Sequence, residues 1–143
     1  MILKNFRINA FTSRKLLGNP ACVVPLKKWL SDEILLKIAK KNNVSETAFF
    51  INENSKFSIR WFTPDIEMDL CGHATLAAAH CINKHLNLNF ETILFNSNIG
   101  KLSVNILNDL YQLDFPKREP IESELPEEIY NSLSIKPDKV LKS

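Results

Sequence analysis

Apolar and polar residues alternate from Ile2 to Phe11, with Phe6, Ile8 and Ala10 on one side and Arg7 and Asn9 on the other. A period of two predicts a half-buried strand. Gly18-Asn19-Pro20 has turn chemistry, and the apolar run Ala21 to Pro25 behind it predicts a hairpin partner. The period lengthens after Leu30. Ile34, Leu35, Ile38 and Ala39 fall on one helical stripe. Ser31 stands at the N-cap position, Asp32 and Glu33 fill the first turn, and Lys37, Lys40 and Lys41 crowd the end. Charge therefore complements the helix dipole at both termini.

Thr47 to Ile51 and Phe57 to Phe62 read as two strands joined by a polar hairpin loop, 52–56. Thr63-Pro64-Asp65 ends the second, and Ile66 to Leu70 is a short extended piece. From Gly72 to about His85 the pattern is helical again, with Ala74, Ala77, Ala78 and Cys81 clustered on one side. Side chains that small let a helix sit close against strands on several sides, so this helix is expected at the centre of the molecule. Three strands follow, near Thr92 to Asn96, Lys101 to Leu107 and Tyr111 to Phe115. The expected architecture is α+β: a curved, mostly antiparallel sheet wrapped around a central helix, with a second helix outside. Pro116, Pro120, Pro126 and Pro137 then punctuate a charged stretch with a short helix over Glu127 to Leu133. Residues 1–116 are expected to form the domain, and residues 117–143 a connector toward a missing second domain.

A length of 143 residues suits one domain with a real core and is short for two. The net charge is only +2 and the lysines are dispersed, so nucleic acid is not an expected partner. No apolar run approaches the roughly 20 residues of a membrane span, and the N-terminus lacks the apolar segment of a signal peptide. A cytoplasmic location is expected. Cys22, Cys71 and Cys81 match neither a disulfide framework nor a zinc motif. His73, His80 and His85 miss the i, i+4 spacing of a helical metal pair. Reduced thiols and no metal are the expectation.

Two segments carry candidate chemistry. In Ser45-Glu46-Thr47-Ala48-Phe49-Phe50 a lone carboxylate stands at the mouth of an apolar strand, where partial desolvation suits acid/base work; a solvated loop carboxylate is the alternative. In Asp69-Leu70-Cys71-Gly72-His73-Ala74-Thr75-Leu76 a histidine and a glycine open a helix, whose free N–H groups favour an anion. His73 is then either a group that touches the reacting atoms or a cap of its own helix. Cys71 is either a thiolate stabilised at the helix start or a small buried residue. Asp69 and Thr75 are either ligand contacts or caps. Arg60, Asp65, Trp61 and Phe62 read as structural.

Taken together, Asn9-Ala10-Phe11-Thr12, Gly18-Asn19-Pro20-Ala21, Ser45-Glu46-Thr47-Ala48-Phe49, Arg60-Trp61-Phe62-Thr63-Pro64 and Leu70-Cys71-Gly72-His73-Ala74-Thr75-Leu76 resemble the N-terminal half of the PhzF-like isomerases of phenazine biosynthesis. The resemblance runs from about Ile2 through Leu113-Asp114-Phe115-Pro116. It implies the diaminopimelate epimerase fold, in which two similar domains, each a sheet around a central helix, enclose the active site between them. It implies an isomerase that moves a proton on a small amino- or hydroxy-acid metabolite without a cofactor. The family's catalytic glutamate falls on Glu46 and its active-site Gly-His pair on Gly72 and His73. Substrate-binding positions implied beside them are Asn19, Cys71, Gly72, Ala74 and Thr75. The family's second domain brings further groups that this chain lacks. The expected partners are therefore a small-molecule substrate and either a second-half polypeptide or a second copy in a homodimer. A cysteine-dependent racemase or epimerase half, with Cys71 as a base, and an inactive self-associating half-domain are the competing expectations.

Overall fold

The computed structural model describes residues 2–13, 17–53, 56–117 and 119–142. The chain opens with an antiparallel pair, β1 (Phe6–Ala10) and β2 (Asn19–Leu26). Helix α1 (Asp32–Asn42) crosses over to β3 (Glu46–Glu53), which lies parallel to β2 and antiparallel to β4 (Lys56–Phe62). A two-residue strand, β5 (Glu67–Met68), pairs with β4 and leads into α2 (Gly72–His80). The sheet resumes with β6 (Thr92–Ser97), parallel to β4, and then β7 (Gly100–Leu107) and β8 (Leu110–Asp114), both antiparallel. The strand order is β1-β2-β3-β4-β6-β7-β8, with β5 added to β4. Helix α2 packs on β1, β2, β3 and β8, which include both edges of this sheet. The sheet therefore curls around α2 as a half-barrel.

The curl explains the composition of α2. Ala74, Ala77, Ala78 and Ala79 are each no more than 1 % exposed, and only small side chains fit between strands on several sides. They sit in one core with Val23, Ala48, Phe50, Phe57, Ile59, Trp61, Ile93, Phe95 and Val104. The outer faces of β2 and β3 carry a second core, Val24, Phe49 and Ile51, covered by Leu35 and Ala39 of α1. Strands buried on both faces read as continuous apolar runs. Arg60 ties the outer layer together: it bonds Glu67 and Asp32 at 2.5–2.8 Å and lies over the rings of Trp29 and Phe62. Its bonds to those carboxylates push the guanidinium further up.

The expected architecture is present, with local differences. The first strand begins only at Phe6. The loop expected at 52–56 has its tip, residues 54 and 55, outside the described residues. Ser31 caps α1 through its carbonyl, which accepts from the N–H of Ile34 and Leu35, and its hydroxyl makes no cap bond. Ile34, expected in the buried stripe, is 41 % exposed because only Leu35 and Ala39 point straight at the sheet. The second helix does not stay α-helical to His85. Residues Cys81–His85 form a π-helical turn closed by Leu86 N–H on the Cys81 carbonyl. This wider turn brings His80 and His85 together, with ring centroids 5.6 Å apart, although their spacing is wrong for an α-helical pair. Beyond Phe115 the chain makes β9 (Ile121–Glu122), α3 (Glu127–Ser132) and β10 (Leu141–Lys142), with no buried residue in α3. Among the described residues no helix is long and apolar enough to cross a membrane.

Candidate active site

Pairing register brings the chemistry-bearing segments to one end of the sheet. Ala10, the last residue of β1, pairs with Asn19, the first of β2. Ala21 pairs with Glu46, the first residue of β3. Along β3 the side chains alternate: Ala48 and Phe50 face α2, while Phe49 and Ile51 face α1. Glu46 shares the parity of Ala48 and so points toward the start of α2. There it meets His73: Glu46 Oε2 lies 3.3 Å from His73 Nε2. Glu46 retains 18 % side-chain exposure and His73 9 %, so the pair is recessed but open to solvent.

Short-range structure fixes Glu46. Asn43 ends α1 in the left-handed conformation, φ 48°, its N–H on the Ala39 carbonyl, and only Val44 and Ser45 separate it from β3. Asn42 accepts from Asn5 Nδ2 at 2.6 Å and donates to Thr47 Oγ1 at 3.1 Å, tying the residue before β1 to α1 and β3. Ser45 Oγ stands 3.2 Å from His73 Nε2. It also donates toward the Pro20 carbonyl at 3.3 Å or Asn19 Oδ1 at 3.4 Å. Glu46 Oε2 is buried and has no hydrogen-bond partner among the described residues.

At the other ring nitrogen, Cys71 Sγ lies 3.4 Å from His73 Nδ1, and it stays within 4.8 Å of a Glu46 carboxylate oxygen. Cys71 is the N-cap residue of α2 and is 7 % exposed. Burial, aided by the Glu46 carboxylate, pushes its thiol up to about 11. The backbone N–H groups of Ala74 and His73 pull the other way, but they approach too loosely to make a cap bond. Of the two readings of Cys71, burial favours the small buried residue with a protonated thiol, because desolvation outweighs the helix terminus.

The other anticipated residues divide. Asn19 joins the Ser45 network. Gly72 lies under Phe115: a Cβ at Gly72 would come within 3.1 Å of that ring. Ala74 is fully buried in the core, and Thr75 Oγ1 donates to the Cys71 carbonyl at 2.6 Å. The structure does not bring those two side chains to Glu46. Arg60 and Trp61 are structural and core, as anticipated. Reading by residue type passed over Ser45 and Phe115. Adjacency to Glu46 was a signal for Ser45, whereas nothing local marks Phe115.

Glu46, Cys71 and His73 also form, among the described residues, one group whose donor atoms all lie within 4.8 Å of one another. Around the ring, the hydrogen-bond contacts are Ser45 Oγ at Nε2 and Cys71 Sγ at Nδ1. Two surface clefts, about 450 and 650 Å³, lie between β1 and α1 and between β1 and the β7–β8 turn. Glu46 and His73 line neither of these two.

Residues 8–140 match the PhzC-PhzF family, described as phenazine biosynthesis-like protein. Two uncharacterized isomerases of Pseudomonas aeruginosa are 41 % and 43 % identical over the whole chain, which covers 55 % of each. The human phenazine biosynthesis-like domain-containing protein is 41 % identical over 125 residues, 81 % of this chain and 43 % of its own. The crystal structure of a PhzF-family protein from Enterococcus faecalis superposes with a TM-score of 0.88 at 38 % identity, covering 100 % of this chain and 55 % of that one. A Pseudomonas aeruginosa protein described as a predicted epimerase, 20 % identical with a TM-score of 0.65, shares the fold. The chain thus spans about half the length of the curated relatives it matches. Its α+β half-barrel is the diaminopimelate epimerase-like architecture.

Proposed function

Because the chain belongs to the PhzC-PhzF family of phenazine biosynthesis-like proteins, we propose that it is the N-terminal half of an isomerase in which Glu46 moves a proton on a small amino- or hydroxy-acid. The observation that carries this reading is the Glu46–His73 pair. A buried carboxylate oxygen without a hydrogen bond stands 3.3 Å from an imidazole, on a side chain that keeps 18 % exposure. An unpartnered carboxylate oxygen has a lone pair ready for a substrate proton, and such a group is unfavourable to bury for structural reasons alone. His73 stands beside that carboxylate, with Ser45 and Cys71 within hydrogen-bond distance of its two nitrogens. Proton transfer from a positioned carboxylate contributes typically about 10²–10⁴-fold.

The remaining acceleration requires orientation, worth roughly 7–11 kcal/mol when substrate and catalyst are held in a near-attack pose. This half alone supplies little of that. In this reading the further length of the relatives supplies the opposite wall, and the wall excludes water from Glu46. The test is deuterium incorporation from heavy water into candidate amino- and hydroxy-acids. It is run on the 143-residue chain and on the same chain joined to the remaining part of the Pseudomonas relative. Exchange by the joined protein, abolished by Glu46→Gln, supports the proposal. Exchange that survives Glu46→Gln overturns it. Robust exchange by the monomeric 143-residue chain overturns the need for a second wall.

A further inference from the structure

The imidazole of His73 has a different kind of neighbour at each nitrogen. Near Nε2 stand Ser45 Oγ at 3.2 Å and Glu46 Oε2 at 3.3 Å. The Pro20 carbonyl, 3.3 Å from Ser45 Oγ, can only accept, so the Ser45 proton has a destination away from the ring. Asn19 Oδ1 offers that proton a second acceptor. Ser45 Oγ is then free to receive a proton from Nε2, and an ionised Glu46 carboxylate likewise only accepts. Near Nδ1 stands one side chain, Cys71, its Sγ 3.4 Å away. With the ring proton on Nε2, Nδ1 carries a lone pair, so the Cys71 thiol is the donor in that contact.

We infer that Cys71 is a positioning residue for His73. Its thiol donates to Nδ1 and, with Ser45 accepting at Nε2, holds the imidazole in the neutral Nε2–H tautomer facing Glu46. Cys71 takes no proton from substrate. It acts through His73, keeping the donor nitrogen on the cleft side and the lone pair on the buried side. This rests on the proton-transfer reading for its purpose, but the hydrogen-bond assignment stands or falls without substrate. The thiol also has a reason to stay protonated here, since burial holds it well above neutral pH. A serine at position 71 would preserve the donor; an alanine would leave Nδ1 a buried acceptor without a partner.

The experiment is long-range proton–nitrogen correlation NMR on the 15N-labelled chain, at a pH well above the ordinary imidazole range. His73 is assigned by comparison with His73→Gln. The expected spectrum shows Nε2 as a protonated, pyrrole-type nitrogen and Nδ1 as a pyridine-type nitrogen, without averaging. Cys71→Ala should move the Nδ1 resonance to higher frequency, as an acceptor nitrogen does when it loses its donor. Cys71→Ser should return it toward the wild-type position. A protonated Nδ1 in the wild-type chain overturns the inference without recourse to any variant. So does an Nδ1 resonance that Cys71→Ala leaves in place. Absence of isomerase exchange, with the expected spectrum, would instead count against the proposed reaction and leave the tautomer assignment intact.

Discussion

Gly18, with φ +87°, directly precedes β2. A Cβ there would lie 2.3 Å from the Ala10 carbonyl oxygen and 2.6 Å from Thr12 Cγ2. Gly18→Ala therefore carries two costs. Holding an alanine in that backbone region costs on the order of 1–3 kcal/mol. The overlap falls on backbone, which cannot rotate away, so β1 and β2 must separate at their shared end. Overpacking of that kind costs roughly 1–3 kcal/mol more. The sum, about 2–6 kcal/mol, lowers the Tm of a chain this size by roughly 5–20 °C. Gly100→Ala is the control: φ there is +122°, but no atom lies within 4 Å of the added Cβ, so only the first cost applies. Circular-dichroism melts of the wild-type chain and both variants measure the difference. Equal Tm losses for the two would refute the close approach of the Ala10 carbonyl. Because Gly18 adjoins Asn19 and Pro20, which hold Ser45, Gly18→Ala should also disturb the His73 nitrogen resonances. Gly100→Ala should leave them unchanged.

Ala78→Leu overpacks a fully buried contact between α2 and the sheet, at a cost of roughly 1–3 kcal/mol; an unchanged Tm would put α2 at the surface. Burial, with His85 and Lys84 beside it, keeps the His80 imidazole below its ordinary 6.5, so the unfolded chain takes that proton first. Stability should fall as pH drops through 6.5, and His80→Gln should flatten the Tm-against-pH curve just below that value; an identical slope would sink this assignment. Burial raises the Cys71 and Cys81 thiols from 9.0 to about 11 and about 12. Unfolded thiols ionise first, so part of the alkaline loss of stability above pH 9.0 should vanish in the Cys71→Ser, Cys81→Ala double variant. All three cysteines are buried, so a thiol-specific colorimetric reagent should react at the rate of opening and not on mixing.

The central helix could be read from the sequence because its signal is local. Alanines at helical spacing fit one environment, a helix enclosed by strands. The two-sided burial of β2 and β3 was equally plain, in runs such as Ala48-Phe49-Phe50-Ile51. What escaped local reading was geometry beyond one turn. The π-helical turn after His80 depends on how Leu86 and Asn87 leave the helix, with Asn87 at φ 54°, and no residue in it announces five-residue closure. At the site, Glu46, Gly72 and His73 could be named from motif, but the partners that give them meaning are remote in sequence. Pro20 and Asn19 reach Ser45 across 25 and 26 residues, and Ser45 reaches His73 across 28. Which of the two readings of Cys71 holds was open for a related reason. A helix start favours a thiolate, but the depth of burial that defeats it is a tertiary quantity.

Register carries more of this site than any single residue does. Glu46 faces α2 because it shares parity with Ala48 and Phe50, and a strand displaced by one residue would turn it to the α1 side. The pairing that forbids such a slip is hydrophobic: Val23 and Phe50 must enter the inner core while Val24 and Phe49 enter the outer one. Helix α2 is fixed just as firmly, since enlarging any of its four buried alanines would overpack a wall of the half-barrel. Two elements are thus anchored by cores some distance from the cleft, and their first residues, Glu46 and Gly72, have little freedom left. That rigidity is what allows a carboxylate oxygen to remain buried without a hydrogen bond. Leaving such a group unsatisfied costs roughly 1–3 kcal/mol or more, and in a floppy loop Glu46 would swing into water instead. The same anchoring holds Ser45 and Cys71 at opposite edges of one imidazole, so orientation at the site is settled before any ligand arrives.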